Sequence, residues 1–162
     1  MGVLLIMTNM KLYTEILNQV QNAECVVFDL DATLCDHDSQ TSYEDCDLFF
    51  PIVPVLELAK MVKAHGFDLV IATARPSTSC AKTLLWLEKY LPEFDALYMA
   101  NSEVKAIGSA VKEQQLLKIE EQWDIAFWVD DSPFNAKVIH DHAVVCLRPT
   151  HNDAFWESYG DA

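Results

Sequence analysis

The sequence predicts an α/β protein: a three-layer sandwich with a central parallel sheet, built as one domain over residues 1–162 with its core at about 24–150. Three observations carry this expectation. Five short apolar runs recur along the chain, the stretches between them show helical periodicity, and side chains capable of chemistry stand directly after the runs. Short, continuously apolar strands separated by helices imply a parallel sheet covered on both faces. In open sheets of that kind, ligands bind at the carboxyl ends of the strands, where the strand order reverses.

The elements follow in order. Val3–Met7 is apolar but far too short to span a membrane, lacks a signal-peptide pattern, and reads as a short strand or hydrophobic tail. Leu12, Ile16, Leu17 and Val20 share one helical face. Cys25–Phe28 is the first strand, followed by a polar loop through Asp47. Val55, Leu58, Ala59 and Val62 mark the next helix, closed by His65-Gly66, with Gly66 suited to a left-handed terminal position. Leu69–Ala72 is the second strand, and a helix from about Ser79 to Tyr90 stops before Pro92. Ala96–Met99 is the third strand, a helix covers Val111–Glu121, and Ile125–Val129 is the fourth strand. A helix over Pro133–His140 precedes the fifth run, Ala143–Leu147.

Composition excludes several classes. The 162 residues are 51% apolar and 22% charged, which is globular and not disordered. A formal charge of −14 repels polyanions at long range and argues against broad, non-specific nucleic-acid binding. Cys25, Cys35, Cys46, Cys80 and Cys146 are odd in number and form no CxxC pair, so a reducing cytoplasm is the natural setting.

Asp29-Leu30-Asp31-Ala32-Thr33 follows the first strand. Two carboxylates this close at a strand end raise one another's pKa unless something compensates them. Magnesium, with its preference for oxygen ligands, is the simplest compensation. After the second strand come Thr73 and Arg75, where a hydroxyl is placed to bond a phosphate oxygen. After the fourth come Asp130, Asp131 and Ser132. Ser132 suits a cap for the helix beginning at Pro133, and Asp130 is placed to complete a metal site with Asp29. A cation is also needed to hold phosphate beside these carboxylates. Lys112, near the start of the helix before the fourth strand, is the candidate, with Lys105 and Lys118 as rivals.

FDLDATL, IATAR, the helix lysine and FWVDDS resemble, in order and spacing, the four signature segments of the haloacid dehalogenase (HAD) superfamily of phosphohydrolases. The resemblance spans roughly Glu24 to Leu147 and implies a HAD-like, Rossmann-type core. It implies Asp29 as nucleophile and metal ligand, forming an aspartyl-phosphate. Asp31 is implied as the general acid and then base, with its main-chain carbonyl on the metal. Thr73 and Lys112 are implied to hold phosphoryl oxygens, Asp130 to complete the Mg2+ site, and Asp131 to stand behind it. Thr33 and Arg75 join the substrate-binding set. Ala32 stands where the family often has glycine. An ordinary aspartate, with a pKa near ~3.9, needs no base to ionise it at neutral pH.

From Asp31 to Thr73, a strand and a helix leave only the polar loop at roughly Leu34–Val53, too little for a cap domain, so a capless enzyme is expected. An open site favours a large substrate, or relies on a partner or homo-oligomer for closure. Within the superfamily, YEDCDLFFPIVPVLELAKM, HGFDLVIATAR and VKEQQ most resemble the 3′-phosphatase domain of phage bifunctional polynucleotide kinase/phosphatase. No GxxxxGK phosphate loop is present for a kinase half.

The expected activity is therefore hydrolysis of 3′-phosphate ends of nucleic acid or a related nucleotide, with Arg75, Lys82 and Arg148 as a local basic track. A phosphatase for mononucleotides or sugar phosphates, and a non-catalytic interaction module, stay open as alternatives. His140, Asp141 and His142 lack a third ligand at zinc spacing. Phe127, Trp128, Phe134, Phe155 and Trp156 read as core and C-terminal packing. Asp36, Asp38, Glu44, Asp45 and Asp47 read as a solvated acidic loop.

Overall fold

The computed structural model describes residues 2–37, 42–103, 108–150 and 156–158. In chain order the elements are α1 (Gly2–Gln19), β1 (Cys25–Phe28), α2 (Val53–Ala64), β2 (Asp68–Pro76), α3 (Cys80–Tyr90) and β3 (Ala96–Ala100). They continue with α4 (Ser109–Glu120), β4 (Ile125–Val129), α5 (Pro133–Asp141), β5 (Cys146–Pro149) and β6 (Trp156–Ser158). The strands lie in the order β3-β2-β1-β4-β5-β6. The first five are parallel, and β6 adds an antiparallel edge against β5.

Alternation along the strands divides the core into two layers. Val26, Phe28, Leu69, Ile71, Phe127 and Val129 pack with Tyr13 and Leu17 of α1, with α2, and with Trp86 and Leu87 of α3. Val27, Val70, Ala72, Trp128 and Cys146 face Leu116 and Ile119 of α4 and Ala136 and Ile139 of α5. Because both faces are covered, the strand segments Cys25–Phe28, Leu69–Ala72 and Ile125–Val129 are apolar throughout and not alternately polar. This is the three-layer sandwich that the sequence predicts.

Four local expectations change. Val3–Met7 is neither a strand nor a tail but part of α1; no proline or glycine interrupts residues 3–19, so the helix anchored by Tyr13 and Leu17 propagates back through it. The Tyr13 hydroxyl donates to the Pro54 carbonyl at 2.7 Å, tying α1 to α2. Strand β2 runs on past Ala72 to Pro76, because the polar side chains of Thr73 and Arg75 find internal partners there. Strand β5 starts at Cys146 and not Ala143, since Ala143 (φ 61) and the bonds to the Ile139 and His140 carbonyls form the turn closing α5. Phe134, expected in the packing, is 78% exposed on the first turn of α5, opposite the face carrying Ala136. Phe155 lies outside the described residues.

Turn chemistry behaves as read. Gly66 closes α2 with φ 88, and the Ser132 hydroxyl caps α5 by accepting the Asn135 N–H. The chain runs from β1 outward to β3, then crosses back to β4 on the other side of β1. The crevice between β1 and β4, at their carboxyl ends, is the topological switch point.

Candidate active site

Two main-chain bonds aim the carboxylates into this crevice. The Asp29 N–H donates to the Val129 carbonyl at 2.8 Å, and the Asp130 N–H to the Leu147 carbonyl at 3.1 Å. Sheet pairing thus continues one residue past each strand and sets Asp29 beside Asp130. Carboxylate oxygens of Asp29, Asp130 and Asp131 come within 4.8 Å of one another.

Lys112, one turn into α4, reaches across to them. Its ammonium lies 2.6 Å from Asp29 Oδ1 and 3.3 Å from Asp130 Oδ2, and it also donates to the Ala72 carbonyl. Its side chain is 1% exposed. Burial pulls the Lys112 pKa down, but the charges of Asp29 and Asp130 outweigh that and leave it raised, so the lysine stays protonated. Lys105 lies outside the described residues; Lys118 lines a small pocket with Tyr98 and Asn101.

Asp29 moves the other way from the sequence expectation. Burial, and then the charge of Asp130, push its carboxyl well above the ordinary carboxylate range, with Lys112 countering only in part. Burial followed by Asp130 raises Asp131 to about 6. Three crowded carboxylates facing one ammonium form a set of hard oxygen donors with excess negative charge. That set fits a divalent cation such as Mg2+. Among the described residues no other group of this kind occurs.

Thr33 is fully buried and joins two of these carboxylates. Its hydroxyl lies 3.2 Å from Asp29 Oδ2 and 3.2 Å from Asp131 Oδ1, and accepts the Asp131 N–H at 3.1 Å. Asp130 is held by Asn135 Nδ2, at 3.2 Å to each oxygen, and by the Ser132 N–H at 3.0 Å. Thr73 is 1% exposed; its hydroxyl accepts the Arg75 N–H and its carbonyl accepts Gln115 Nε2 at 2.9 Å.

Asp31 points away from the cluster toward Arg75. Arg75 Nε donates to both Asp31 oxygens at 3.1 and 3.0 Å, and Nη2 to Oδ1 at 2.6 Å. Nη1 donates to Thr83 Oγ1 at 3.1 Å, and Nη2 also reaches Cys35 Sγ. The Arg75 side chain is fully buried, which removes it from the expected surface track. Lys82 pairs with Asp47 at 3.2 Å, and Arg148 donates to the Asp131 carbonyl. In the supposed zinc group, Asp141 pairs with Lys137 and His142 with Glu113.

Asp29, Thr33, Lys112, Asp130 and Asp131 therefore converge, and Thr73 lies beside Lys112 through the Ala72–Thr73 backbone. Asp31 and Arg75 form an adjoining pair. Sequence reasoning passed over Asn135, Gln115, Tyr43 and Phe49. The signal for Asn135 was its place three residues after the cap Ser132; for the aromatics, it was their isolation within an acidic loop.

Fold and site together define the class. The chain belongs to a phosphatase-domain family of the haloacid dehalogenase superfamily, and no cap domain occurs among the described residues: between Asp29 and Ile52 those residues hold a short 3-10 turn at Cys46–Leu48 as their one helical element. Residues 23–153 match the family model for the polynucleotide kinase PNKP phosphatase domain, and the chain belongs to that family. No curated protein matches the sequence. Among solved structures, a Pnkp1/Rnl/Hen1 RNA repair complex has a chain with TM-score 0.73 and 23% identity over 81% of this chain and 43% of that one. The D,D-heptose 1,7-bisphosphate phosphatase of B. bronchiseptica, in complex with magnesium and phosphate, has TM-score 0.59 and 13% identity, covering 76% and 78%. The present chain thus spans less than half of the repair-complex chain it resembles in fold.

Proposed function

We propose that the chain hydrolyses phosphomonoesters with Mg2+ through an aspartyl-phosphate on Asp29, and that its substrates are 3′-phosphate ends of nucleic acid or related nucleotides. The observation that carries this is the buried Lys112 ammonium, 2.6 Å from Asp29 and 3.3 Å from Asp130 at the switch point of the sheet. A lysine in that position neutralises carboxylates that otherwise repel an incoming phosphate.

Asp29 and Asp130 would hold the cation with the Asp31 carbonyl, and the Asp131 carboxylate lies close enough to join or support them. Bound there, Mg2+ supplies positive charge that favours the Asp29 carboxylate and neutralises phosphoryl oxygens. An Asp29 oxygen attacks phosphorus as the ester bond breaks, and Asp31, which takes up a proton from solvent before the step and must loosen its pairing with Arg75 to use it, gives that proton to the departing alkoxide. Asp31, now ionised, takes a proton from water as that water's oxygen attacks the aspartyl-phosphate. Inorganic phosphate leaves and both aspartates are restored. Lys112 and Thr73 steady the phosphoryl oxygens through the transfer.

Membership of the PNKP phosphatase-domain family and the uncapped crevice favour a polymer end over a small molecule. The −14 charge favours the alternative, a mononucleotide or sugar phosphate. Phosphate release with Mg2+ is measured on a 3′-phosphorylated oligonucleotide, free mononucleotides and sugar phosphates, with Asp29→Asn as control. Turnover by Asp29→Asn comparable to wild type refutes the nucleophile. An untouched oligonucleotide beside a rapidly cleaved mononucleotide refutes the polymer substrate.

A further inference from the structure

We propose that Tyr43 and Phe49, on the loop before α2, clamp Arg75 and thereby position Asp31, so that this loop governs delivery of the leaving-group proton. The proposal rests on the function given above. The Arg75 guanidinium carbon lies 5.4 Å from the Tyr43 ring centroid and 5.5 Å from that of Phe49, within the range at which ring faces attract cations. Both rings are braced in turn. The His37 ring stacks on Tyr43, with centroids 5.0 Å apart and planes 13° from parallel, and meets Phe49 at 5.2 Å. The Phe49 carbonyl accepts the indole N–H of fully buried Trp86 at 2.8 Å, and the Asp36 N–H donates to the Phe50 carbonyl at 2.7 Å.

Neutralisation of a buried arginine does not require this arrangement. In the resting pair Asp31 already provides the counter-charge, and Thr83 and Cys35 take further N–H groups; the proton that Asp31 delivers is one it takes up before the transfer. The rings add restraint on the plane of the guanidinium, and a bidentate partner such as Asp31 takes its orientation from that plane. Catalysis depends on such placement, since a misplacement of about 1 Å costs about 10²-fold in rate. The rings come from a loop whose neighbouring Glu44 and Asp45 are exposed, so two aromatic side chains are drawn inward out of an acidic surface segment.

A leaving-group comparison tests the clamp. Tyr43→Ala is expected to lower kcat about tenfold, ~1.4 kcal/mol in the barrier, on a 3′-nucleotide, whose alkoxide needs the Asp31 proton. On p-nitrophenyl phosphate, whose phenolate departs without one, the loss is expected to be at least fivefold smaller. The Tyr43 hydroxyl also hydrogen-bonds Asp31, a contact that Tyr43→Phe removes while keeping the ring. Tyr43→Phe should therefore retain clearly more 3′-nucleotide activity than Tyr43→Ala; activity no higher than that of Tyr43→Ala assigns the effect to the hydroxyl and overturns the clamp. Asp31→Asn should show the same substrate selectivity as Tyr43→Ala. Equal losses on both substrates, or none on either, overturn the proposal. A turnover-free measurement runs beside it: solvent exchange of the Arg75 Nε–H by NMR should quicken in Tyr43→Ala and further with Phe49→Leu added, and unchanged exchange overturns the clamp. A wild-type chain inactive on every phosphoester refutes the function instead, and the exchange measurement alone then decides the clamp.

Discussion

Replacing Lys112 by methionine removes the only cation touching the carboxylate cluster among the described residues, and the consequence follows from the distances. At an effective dielectric of about 20, attractions across 2.6 and 3.3 Å are ~6 and ~5 kcal/mol. Most of that is offset by the cost of burying the charges. Stripping one member from such a buried cluster nonetheless costs about 3–5 kcal/mol, because Asp29 and Asp130 are left facing each other. In a domain of this size that is a fall in Tm of roughly 6–20 °C. The loss should depend on pH. Asp29 is already raised by burial and by Asp130, and loses its one opposing charge in the variant. A carboxyl raised in the folded state contributes stability below its unfolded pKa of about 3.9, and that stability is lost as pH rises through the folded value. Urea unfolding in metal-free buffer should therefore show a wild-type–variant gap that is wider at pH 8 than at pH 5. Adding Asp29→Asn to the variant removes one stranded charge and should recover about 2 kcal/mol. A gap below about 1 kcal/mol at pH 8, or one independent of pH, refutes the electrostatic account of the site.

Three further outcomes are expected. Mg2+ should raise the Tm more at pH 8 than at pH 5, because the raised Asp29 carboxyl and an Asp131 carboxyl at about 6 take up protons on acidification and compete with metal; an equal rise at both values contradicts the assigned ligands. Ala32→Gly should stabilise the fold by up to about 1 kcal/mol in thermal unfolding, since Ala32 sits at φ 59, where strain exceeds the entropy cost of glycine; a loss above about 1 kcal/mol counts against that strain. Arg75→Lys keeps the charge but cannot reproduce the Nε and Nη2 bonds to Asp31, and kcat on a 3′-nucleotide should fall about tenfold or more in steady-state kinetics; wild-type kcat would show that the charge alone suffices.

The parts of this molecule legible in its sequence are those fixed by local pattern. Apolar runs as short as Cys25–Phe28 mark the strands, and the strand-end rule places Asp29 and Asp130 at one crevice from the sequence pattern alone. Lys112 stood among three lysines in sequence; what singles it out is that α4 crosses over the carboxyl end of β2, a tertiary fact. Arg75 shows the opposite limit. Its charge read as a surface feature, because nothing local announces that β2 continues past Ala72 and carries the guanidinium beneath the loop at residues 42–50. Phe134 read as core because it is aromatic, yet its position on α5 turns it away from Ala136 and Ile139. Burial of single side chains depends on which helix face meets the sheet, and an offset of two residues, about 200° around the helix, is enough to reverse it.

The same limit applies to the proposed nucleophile, Asp29, and there it bears on the chemistry. An aspartate read as an ordinary residue is ionised at neutral pH and ready to attack. Asp29 in its folded surroundings is not ordinary, since burial and Asp130 both favour its neutral form, and a neutral carboxyl is a poor nucleophile. Lys112 counters this only in part, its one positive charge being divided between Asp29 and Asp130. Further positive charge within reach of the Asp29 oxygens favours the anion, and a divalent cation on the Asp29–Asp130 side would supply it. The proposed metal would therefore do more than neutralise the substrate: it would also favour the ionised form of the proposed attacking group, which ties the expected metal dependence and pH dependence to one carboxylate.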